Sequence, residues 1–366
     1  MILKDCLEKI IDNRGRNPKY YDNEAYPVID NVMIKNNYHP NINEATRFID
    51  QDTHDNFLRG YLEPNIPIMT LVGGGIGNVS LSIDDKSVIV QNTIGFKTKP
   101  EVLDSIYLYY WFLYKHDELI QFNRGSGQPS IRKTDIENMN IELKDINYQR
   151  KVSKILSEID EKIELNNKIN NNLYEETAAL YKAKFGGIEQ GYKTVGEYII
   201  PKRGKNLLTR DAIEGSIPVV AGGIEPSAYH NQFNTHSPVI TISASGANAG
   251  YTNLWSTPIW ASDCSYIDDS VTENVYFWYV VLKTRQKEIF DAQTGSAQAH
   301  IYPRHIADMP IAELNIDEVR NYNVLVEPLF KKIGENKKEN ERLSQLRDTL
   351  LPKLMNGEID LDSIEI

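Results

Sequence analysis

From Ile146 to Phe185 the chain carries neither proline nor glycine, and Gly186 and Gly187 follow directly. Its apolar positions are Val152, Ile155, Ile159, Ile163, Ile169, Leu173 and Leu180, spaced mostly by threes and fours. That period predicts a single helix with one sticky seam, roughly 55–60 Å long at 1.5 Å per residue. A lone amphipathic helix is not stable in water and needs a partner. A second run, Asp317 to Met355, supplies a matching seam: Val326, Leu329, Ile333, Leu343, Leu346 and Leu350. Pro328 puts its start in question, and Leu351-Pro352 marks a kink or an end. Gly334 costs about 1 kcal/mol relative to alanine in a helix interior.

The two runs are copies within an internal repeat. Gly125-Ser126-Gly127-Gln128-Pro129-Ser130-Ile131 returns as Gly295-Ser296-Ala297-Gln298-Ala299-His300-Ile301, 170 residues later. At the same offset Ile136, Met139 and Ile141 meet Ile306, Met309 and Ile311. Ile163, Asn166, Leu173 and Leu180 meet Ile333, Asn336, Leu343 and Leu350. Near the start, Ile10–Asn17 matches Ile199–Asn206 at an offset of 189, so the first copy is longer by 19 residues, between about Ile29 and Asn65. Asn166 and Asn336 interrupt the seams at equivalent places, where a polar residue fixes register if it is buried.

The predicted architecture is α+β: two mixed α/β domains separated by two long antiparallel, coiled-coil-like helices, with a pseudo-two-fold internal repeat. Boundaries fall at 1–144, 145–185, 186–315, 316–356 and a tail at 357–366. Strands are expected at Ile66–Val72, Asn78–Ile83 and Ser87–Gln91, with counterparts at Pro238–Ser243 and Pro258–Ser262. Glycine-rich turns follow at Gly73–Gly77 and around Gly246, and helices at Ser105–Phe122 and Thr272–Phe290.

Composition narrows the chemistry. The chain has 366 residues and a net charge of −11, and none of these segments is basic overall. A nucleic-acid surface would therefore be a local face. No apolar run reaches about 18 residues, so no membrane span is expected, and the N-terminus does not read as a secretory signal. Cys6 and Cys264 are far apart, as reduced thiols of a cytoplasmic protein would be. There is no phosphate-cradling G-x-x-x-x-G-K-[ST], no G-x-S-x-G and no H-E-x-x-H. Gly73–Gly77 precedes a strand and not a helix, so it does not read as a dinucleotide loop. The seven histidines lack metal-ligand spacing, and Asp268-Asp269 reads as a solvated turn. No catalytic residue and no metal site is assigned.

What stands out is four windows without an acidic residue, at repeat-equivalent positions. Asn13–Tyr21 holds Arg14, Arg16, Asn17 and Lys19, and Leu119–Thr134 holds Arg124, Gln128, Arg132 and Lys133. Tyr198–Arg210 holds Lys202, Arg203, Lys205 and Arg210, and Ala292–Ala307 holds Gln298, His300 and Arg304. Phosphates call for Arg, Lys and backbone N–H groups, and base edges for Arg, Asn and Gln. These are the candidate DNA-binding residues; the plainer alternative is a set of basic surface loops repeated with the fold. For helix packing or partner docking the candidates are Ile155, Ile159, Ile163, Leu173, Leu180, Leu329, Ile333, Leu343, Leu346 and Leu350.

With these segments in view, the whole chain resembles the specificity subunit of type I restriction–modification systems. The most specific segments are Gln149–Ile163 and Asn340–Ile359, with the Gly-Ser-Gly-Gln and Gly-Ser-Ala-Gln motifs. The resemblance implies two target-recognition domains, each reading half of an asymmetric, split double-stranded DNA site. The helices would act as a spacer and dock the methyltransferase subunits, two of them expected, with restriction/translocase subunits beside them. It also implies a non-catalytic chain with no cofactor of its own, S-adenosylmethionine, ATP and Mg residing on the partners. A coiled-coil scaffold binding only proteins is the rival reading; an enzyme with its own nuclease or methyltransferase chemistry is a second.

Overall fold

The computed structural model describes residues 1–15, 17–125, 127–295 and 298–361. The chain divides into two compact units: Met1–Glu164 with the chain from Asn340 onward, and Leu165–Glu339. Each unit holds a globular part and one half of each long helix.

The first unit contains β1 (Leu7–Ile11), β2 (Tyr26–Pro27), β3 (Phe48–Ile49), α1 (Gln51–Phe57), β4 (Pro67–Thr70), β5 (Val79–Leu81) and β6 (Thr93–Thr98). Then come α2 (Ser105–Tyr114), α3 (His116–Gln121) and α4 (Lys133–Glu137), before α5 (Ile146–Phe185), which crosses into the second unit. There β7 (Lys193–Thr194), β8 (Lys202–Arg203), β9 (Ile217–Val220), β10 (Ala228–His230), β11 (Val239–Ser243), β12 (Thr252–Trp255), β13 (Trp260–Ala261) and β14 (Cys264–Ile267) precede α6 (Val275–Thr284) and α7 (Gln286–Asp291). α8 (Pro303–Ala307), β15 (Pro310–Ile311) and α9 (Ile316–Asn356) complete the order.

The repeat is visible in the sheets. The first unit's main sheet runs β1-β6-β4-β5 and the second's runs β8-β14-β11-β12, the same order of equivalent strands. Every neighbouring pair is antiparallel, for example Met69 opposite Ile94 and Thr241 opposite Tyr266. The minor pairings repeat too. Val28, after β2, bridges Val88 in parallel, and β9 pairs β13 in parallel through Val219–Trp260 and Val220–Ala261. Both start from the valine of the same dipeptide, Pro27-Val28 and Pro218-Val219.

Of two expected strands, Pro258–Ser262 holds β13 and Ser87–Gln91 is reduced to a single bridge. Ser87–Gln91 and Pro258–Ser262 are not main-sheet strands: each makes only a short parallel contact, at Val88 and at Trp260–Ala261. The inner places in the main sheets belong to β6 and β14, which the hydrophobic pattern does not mark: β6 is buried on both faces and carries Gly95, and β14 is only four residues long. The expected helices at Ser105–Phe122 and Thr272–Phe290 each break in two, at the equivalent basic residues Lys115 and Arg285. Each basic side chain there pairs with a glutamate three residues on, Glu118 at 3.1 Å and Glu288 at 2.7 Å. α2 is apolar nearly all round and is buried accordingly. Asp104 caps it, accepting the Tyr107 N–H at 2.9 Å.

α5 has the bounds its periodicity predicts, and α9 begins and ends one residue outside its expected limits. α9 runs through Pro328 and Pro352 without a break. Both prolines are exposed, as are Val324 and Asp348 four residues before them, so the carbonyls deprived of a donor reach water. At Gly334 α9 passes close to the globular part: a Cβ there would lie 2.6 Å from the Ser256 Cβ.

Within each unit the two helices run antiparallel. In the first, Asp160 meets Arg347 at 2.6 Å, and the Tyr148 hydroxyl donates to the Leu354 carbonyl at 2.8 Å. In the second, Asn166 donates to Glu339 at 2.8 Å, and the Tyr322 hydroxyl donates to the Thr177 carbonyl at 2.8 Å. Asn166 and Asn336 are both buried, the condition under which a polar residue on the seam fixes register. Of the seam, Ile159 and Ile333 are buried; Ile155, Ile163, Leu173, Leu180, Leu329, Leu343 and Leu350 are half-buried. Leu346 is a correction: it is 47% exposed, and Arg347 takes the inward position to reach Asp160. Burial pushes the Asp160 carboxyl up in pKa, and Arg347 opposes it.

Two large apolar cores result, with three smaller clusters beside them. One joins β4–β6, α2, the first turns of α5, and Leu354, Met355 and Leu361 of the C-terminal region. The other joins β11, β14, α6, the end of α5 and the start of α9. Both cysteines are buried and free.

Candidate nucleic-acid interface

In each unit the glycine-rich turn from an inner strand to the edge strand of the main sheet, β4 to β5 and β11 to β12, anchors the Gly-Ser-x-Gln loop. In the first, the Gly73 N–H donates to the Pro129 carbonyl at 2.9 Å and Ile131 N–H to Leu71 at 2.8 Å. In the second, Gly246 N–H donates to Ala299 at 3.1 Å and Ile301 N–H to Ala244 at 2.9 Å. The loops turn tightly enough to require their first glycine. A Cβ on Gly125 would lie 1.7 Å from the Gln128 carbonyl oxygen, and one on Gly295 would lie 2.3 Å from that of Gln298. Gln128 and Gln298 are consequently presented at the surface of both units. Ser126, Ser296 and Ala297 lie outside the described residues.

The windows of each unit converge beside this turn. In the first, Asp12 is shared by Arg14 at 2.8 Å and Lys133 at 3.6 Å, which joins Asn13–Tyr21 to Leu119–Thr134. Burial raises the Asp12 pKa, but hydrogen bonds and charge from Arg14, with Lys133 behind them, outweigh it and hold it at about 2. In the second, Arg203, the repeat equivalent of Arg14, pairs with Asp263 at 3.1 Å and lies 6.0 Å from the centre of the Tyr302 ring. Asp263 also accepts the Ser245 hydroxyl, and Ser245 bridges His300, so Tyr198–Arg210 and Ala292–Ala307 meet here. His300 stacks on Tyr302 at 6.0 Å.

The windows are free of acid along the chain but not in space. Asp12 and Asp135 border the windows directly and Asp263 comes from elsewhere in the second unit, so Arg14, Lys133, Arg124 and Arg203 are all paired, Arg124 with Asp135 at 2.9 Å. Arg210 sits 3.7 Å from its neighbour Asp211. Arg132, Lys205 and Arg304 are exposed and have no ion-pair partner among the described residues; Lys205 lies 5.9 Å from the Trp260 ring. Lys202 donates to the Ser270 hydroxyl at 2.7 Å, and Lys19 lies 4.6 Å from the Tyr21 ring. Asn17 is exposed and accepts from Gln91. Arg16 lies outside the described residues.

Sequence reading missed Asn13, which is buried and ties the first window down. Its amide donates to the Gly60 and Ile89 carbonyls, both at 2.9 Å, and accepts from the Arg59 and Gly60 N–H groups. The 19-residue excess is largely engaged in such support. Arg47 pairs with Asp30, His54 stacks on Tyr26 at 4.0 Å, and His39 meets Glu164 of α5 at 2.9 Å. Elsewhere His236 comes together with Asp268 and Asp269, against the reading of that pair as a plain solvated turn. Asp269 raises the His236 pKa through a 2.7 Å hydrogen bond, which favours the imidazolium over a metal ligand.

Residues 2–175 match the family described as Type I restriction modification DNA specificity domain. A type I specificity subunit of Mycoplasma genitalium is 24% identical over 306 residues, 78% of this chain and 80% of the relative. The specificity subunit of the type I restriction enzyme MjaIX of Methanocaldococcus jannaschii is 25% identical over 303 residues, 71% and 70% of the two chains. In structure, the chain is similar to the crystal structure of the S subunit of a type I restriction-modification system from M. genitalium. The TM-score is 0.59 at 19% identity, over 97% of this chain and 95% of that one. That likeness is one of fold. Among the described residues no helix is long and apolar enough to cross a membrane.

Proposed function

We propose, from the premise that this chain carries a type I restriction–modification DNA specificity domain and resembles specificity subunits along most of its length, that it is the DNA-reading subunit of such a complex. Each globular part reads one half of a split site. The helices set the distance between the halves and dock the methyltransferase and restriction subunits. The chain itself is non-catalytic; S-adenosylmethionine, ATP and Mg act on its partners, in the cytoplasm.

One observation carries this reading. Two units of different sequence present the same device: a glycine-rich turn, a Gly-Ser-x-Gln loop folded onto it, and an arginine at repeat-equivalent positions 14 and 203. Each arginine is held by a carboxylate that a phosphate or a guanine edge can replace. Because the two devices differ in their surrounding side chains, the halves of the site differ and the site is asymmetric. The acidic chain as a whole is compatible with this, since phosphate contacts are shared with the partner subunits.

The test is a gel-shift titration of the assembled methyltransferase complex on a duplex carrying its own methylated site. Arg14→Ala and Arg203→Ala should each weaken binding, and affinity should fall steeply with salt. Wild-type binding with no preference over a scrambled duplex would favour the protein-binding scaffold instead.

A further inference from the structure

The place where a globular part meets the long helices is built differently in the two units. At the repeat offset of 170, Tyr109 corresponds to Tyr279, Leu113 to Lys283, Glu164 to Gly334 and Asn167 to Lys337. In the first unit the chain itself fills this place. Tyr38, from the stretch in which the first copy is longer, is buried against Tyr109 with ring centres 5.8 Å apart. His39 beside it meets Glu164 of α5 twice, through its backbone N–H and its ring Nδ1, both at 2.9 Å. An aromatic ring and a partner for a carboxylate thus close an acidic niche.

In the second unit the counterparts Tyr279, Lys283, Gly334 and Lys337 line a cavity of about 230 Å³. Its walls are aromatic: Tyr174 of α5 and Phe330 of α9 both stand edge-on to Tyr279, at 6.1 and 5.6 Å between ring centres. Gly334 sends no side chain to where Glu164 reaches in the first unit. The charge is reversed as well, since two lysines replace Leu113 and Asn167. Lys283 is half-buried; its Nζ donates to the Thr252 carbonyl at 3.0 Å and lies 4.3 Å from the centre of the Tyr251 ring. It has no carboxylate partner among the described residues. Burial, and then the charge of Lys337, hold its pKa below the ordinary lysine value. A cation withdrawn from water without a counter-ion is costly, and an anion in the cavity would supply one. An apolar cavity of about 150 Å³ accepts a benzene ring, so this one has room for a ring with a short acidic substituent.

We propose that this cavity is a binding site for a small aromatic carboxylate, with the ring among Tyr174, Tyr279 and Phe330 and the carboxylate on Lys283 and Lys337. Tyr38 shows in the first unit that the place accepts an aromatic ring, and the reversed charge in the second selects an anion. The inference does not depend on the DNA-reading function proposed above.

The test is isothermal titration of the full-length chain with phenylacetate, with the neutral phenylacetamide and with the cationic phenethylamine. Phenylacetate should bind roughly tenfold more tightly than the amide, the worth of a charged hydrogen bond, and the amine should not bind. Lys283→Gln and Lys337→Gln should each remove most of that preference, with melting curves showing that the variants remain folded. Lys337 is exposed, so its substitution leaves the core intact and decides the matter alone if Lys283→Gln does not fold. The inference is overturned if phenylacetate does not bind at millimolar concentration, if acid and amide bind alike, or if Lys337→Gln keeps the full preference.

Discussion

Asn336 donates its side-chain amide to Asn170 at 2.8 Å, in the contact between the two long helices of the second unit where both residues are buried. A seam of leucines and isoleucines tolerates sliding by a turn; a buried amide pair does not, because either group left alone forfeits its hydrogen bond. Asn166 with Glu339 adds a second polar contact close by.

Asn336→Leu should therefore cost about 1–3 kcal/mol, the penalty of an unsatisfied buried amide. The double variant Asn170→Leu with Asn336→Leu should recover part of that loss. Urea unfolding of the full chain measures both. A double variant less stable than either single one would mean that the pair does more than satisfy itself.

Gly334 offers a test in which two rules point in opposite directions. Helix propensity alone says that Gly334→Ala stabilises by about 1 kcal/mol. The structure says otherwise, since the new Cβ would lie 2.6 Å from the Ser256 Cβ and something must move. Gly334→Ala should lower the melting temperature, with a loss of about 1–3 kcal/mol typical of overpacking, and Ser256→Gly in the same chain should restore part of it. A simple gain in stability would contradict the close approach.

Asp12 holds Arg14 and Lys133, so it sets how readily both are released to a phosphate. Its depressed pKa means that the cluster's contribution to stability is present above the unfolded value of about 3.9 and is lost as pH falls through about 2. Protonation therefore does not release these cations near neutral pH, but substitution does. Asp12→Asn should tighten binding to DNA of any sequence by several-fold at low salt and steepen its salt dependence, as read by fluorescence anisotropy. Unchanged affinity would remove the Arg14 cluster from the interface.

Much of this fold was legible because its strongest signals are periodic. The α5 seam from Val152 to Leu180 is long enough for its period to be unambiguous, and the repeat fixed its partner. Strands without alternation, such as β6 and β14, carry no such signal, and their places are decided by long-range pairing. Leu346 and Arg347 show a second limit: apolarity marked the leucine, but the carboxylate of Asp160 selected the arginine for the inward position. At the candidate interface the windows were found from what they lack. Of the acids that neutralise them, Asp12 and Asp135 stand at the very edges of the windows and only Asp263 is brought in by the fold, and Asn13 gives no sign in the sequence of its four hydrogen bonds.

Two separate readers on one chain is the central claim, and exchanging residues 1–144 for the corresponding segment of another specificity subunit tests it most directly. Sequencing methylated genomic DNA from cells that express the chimaera with its modification subunits returns both half-sites and the spacing between them. One half-site should change while the other half and the spacing stay the same. A change in both halves, or in neither, would contradict it.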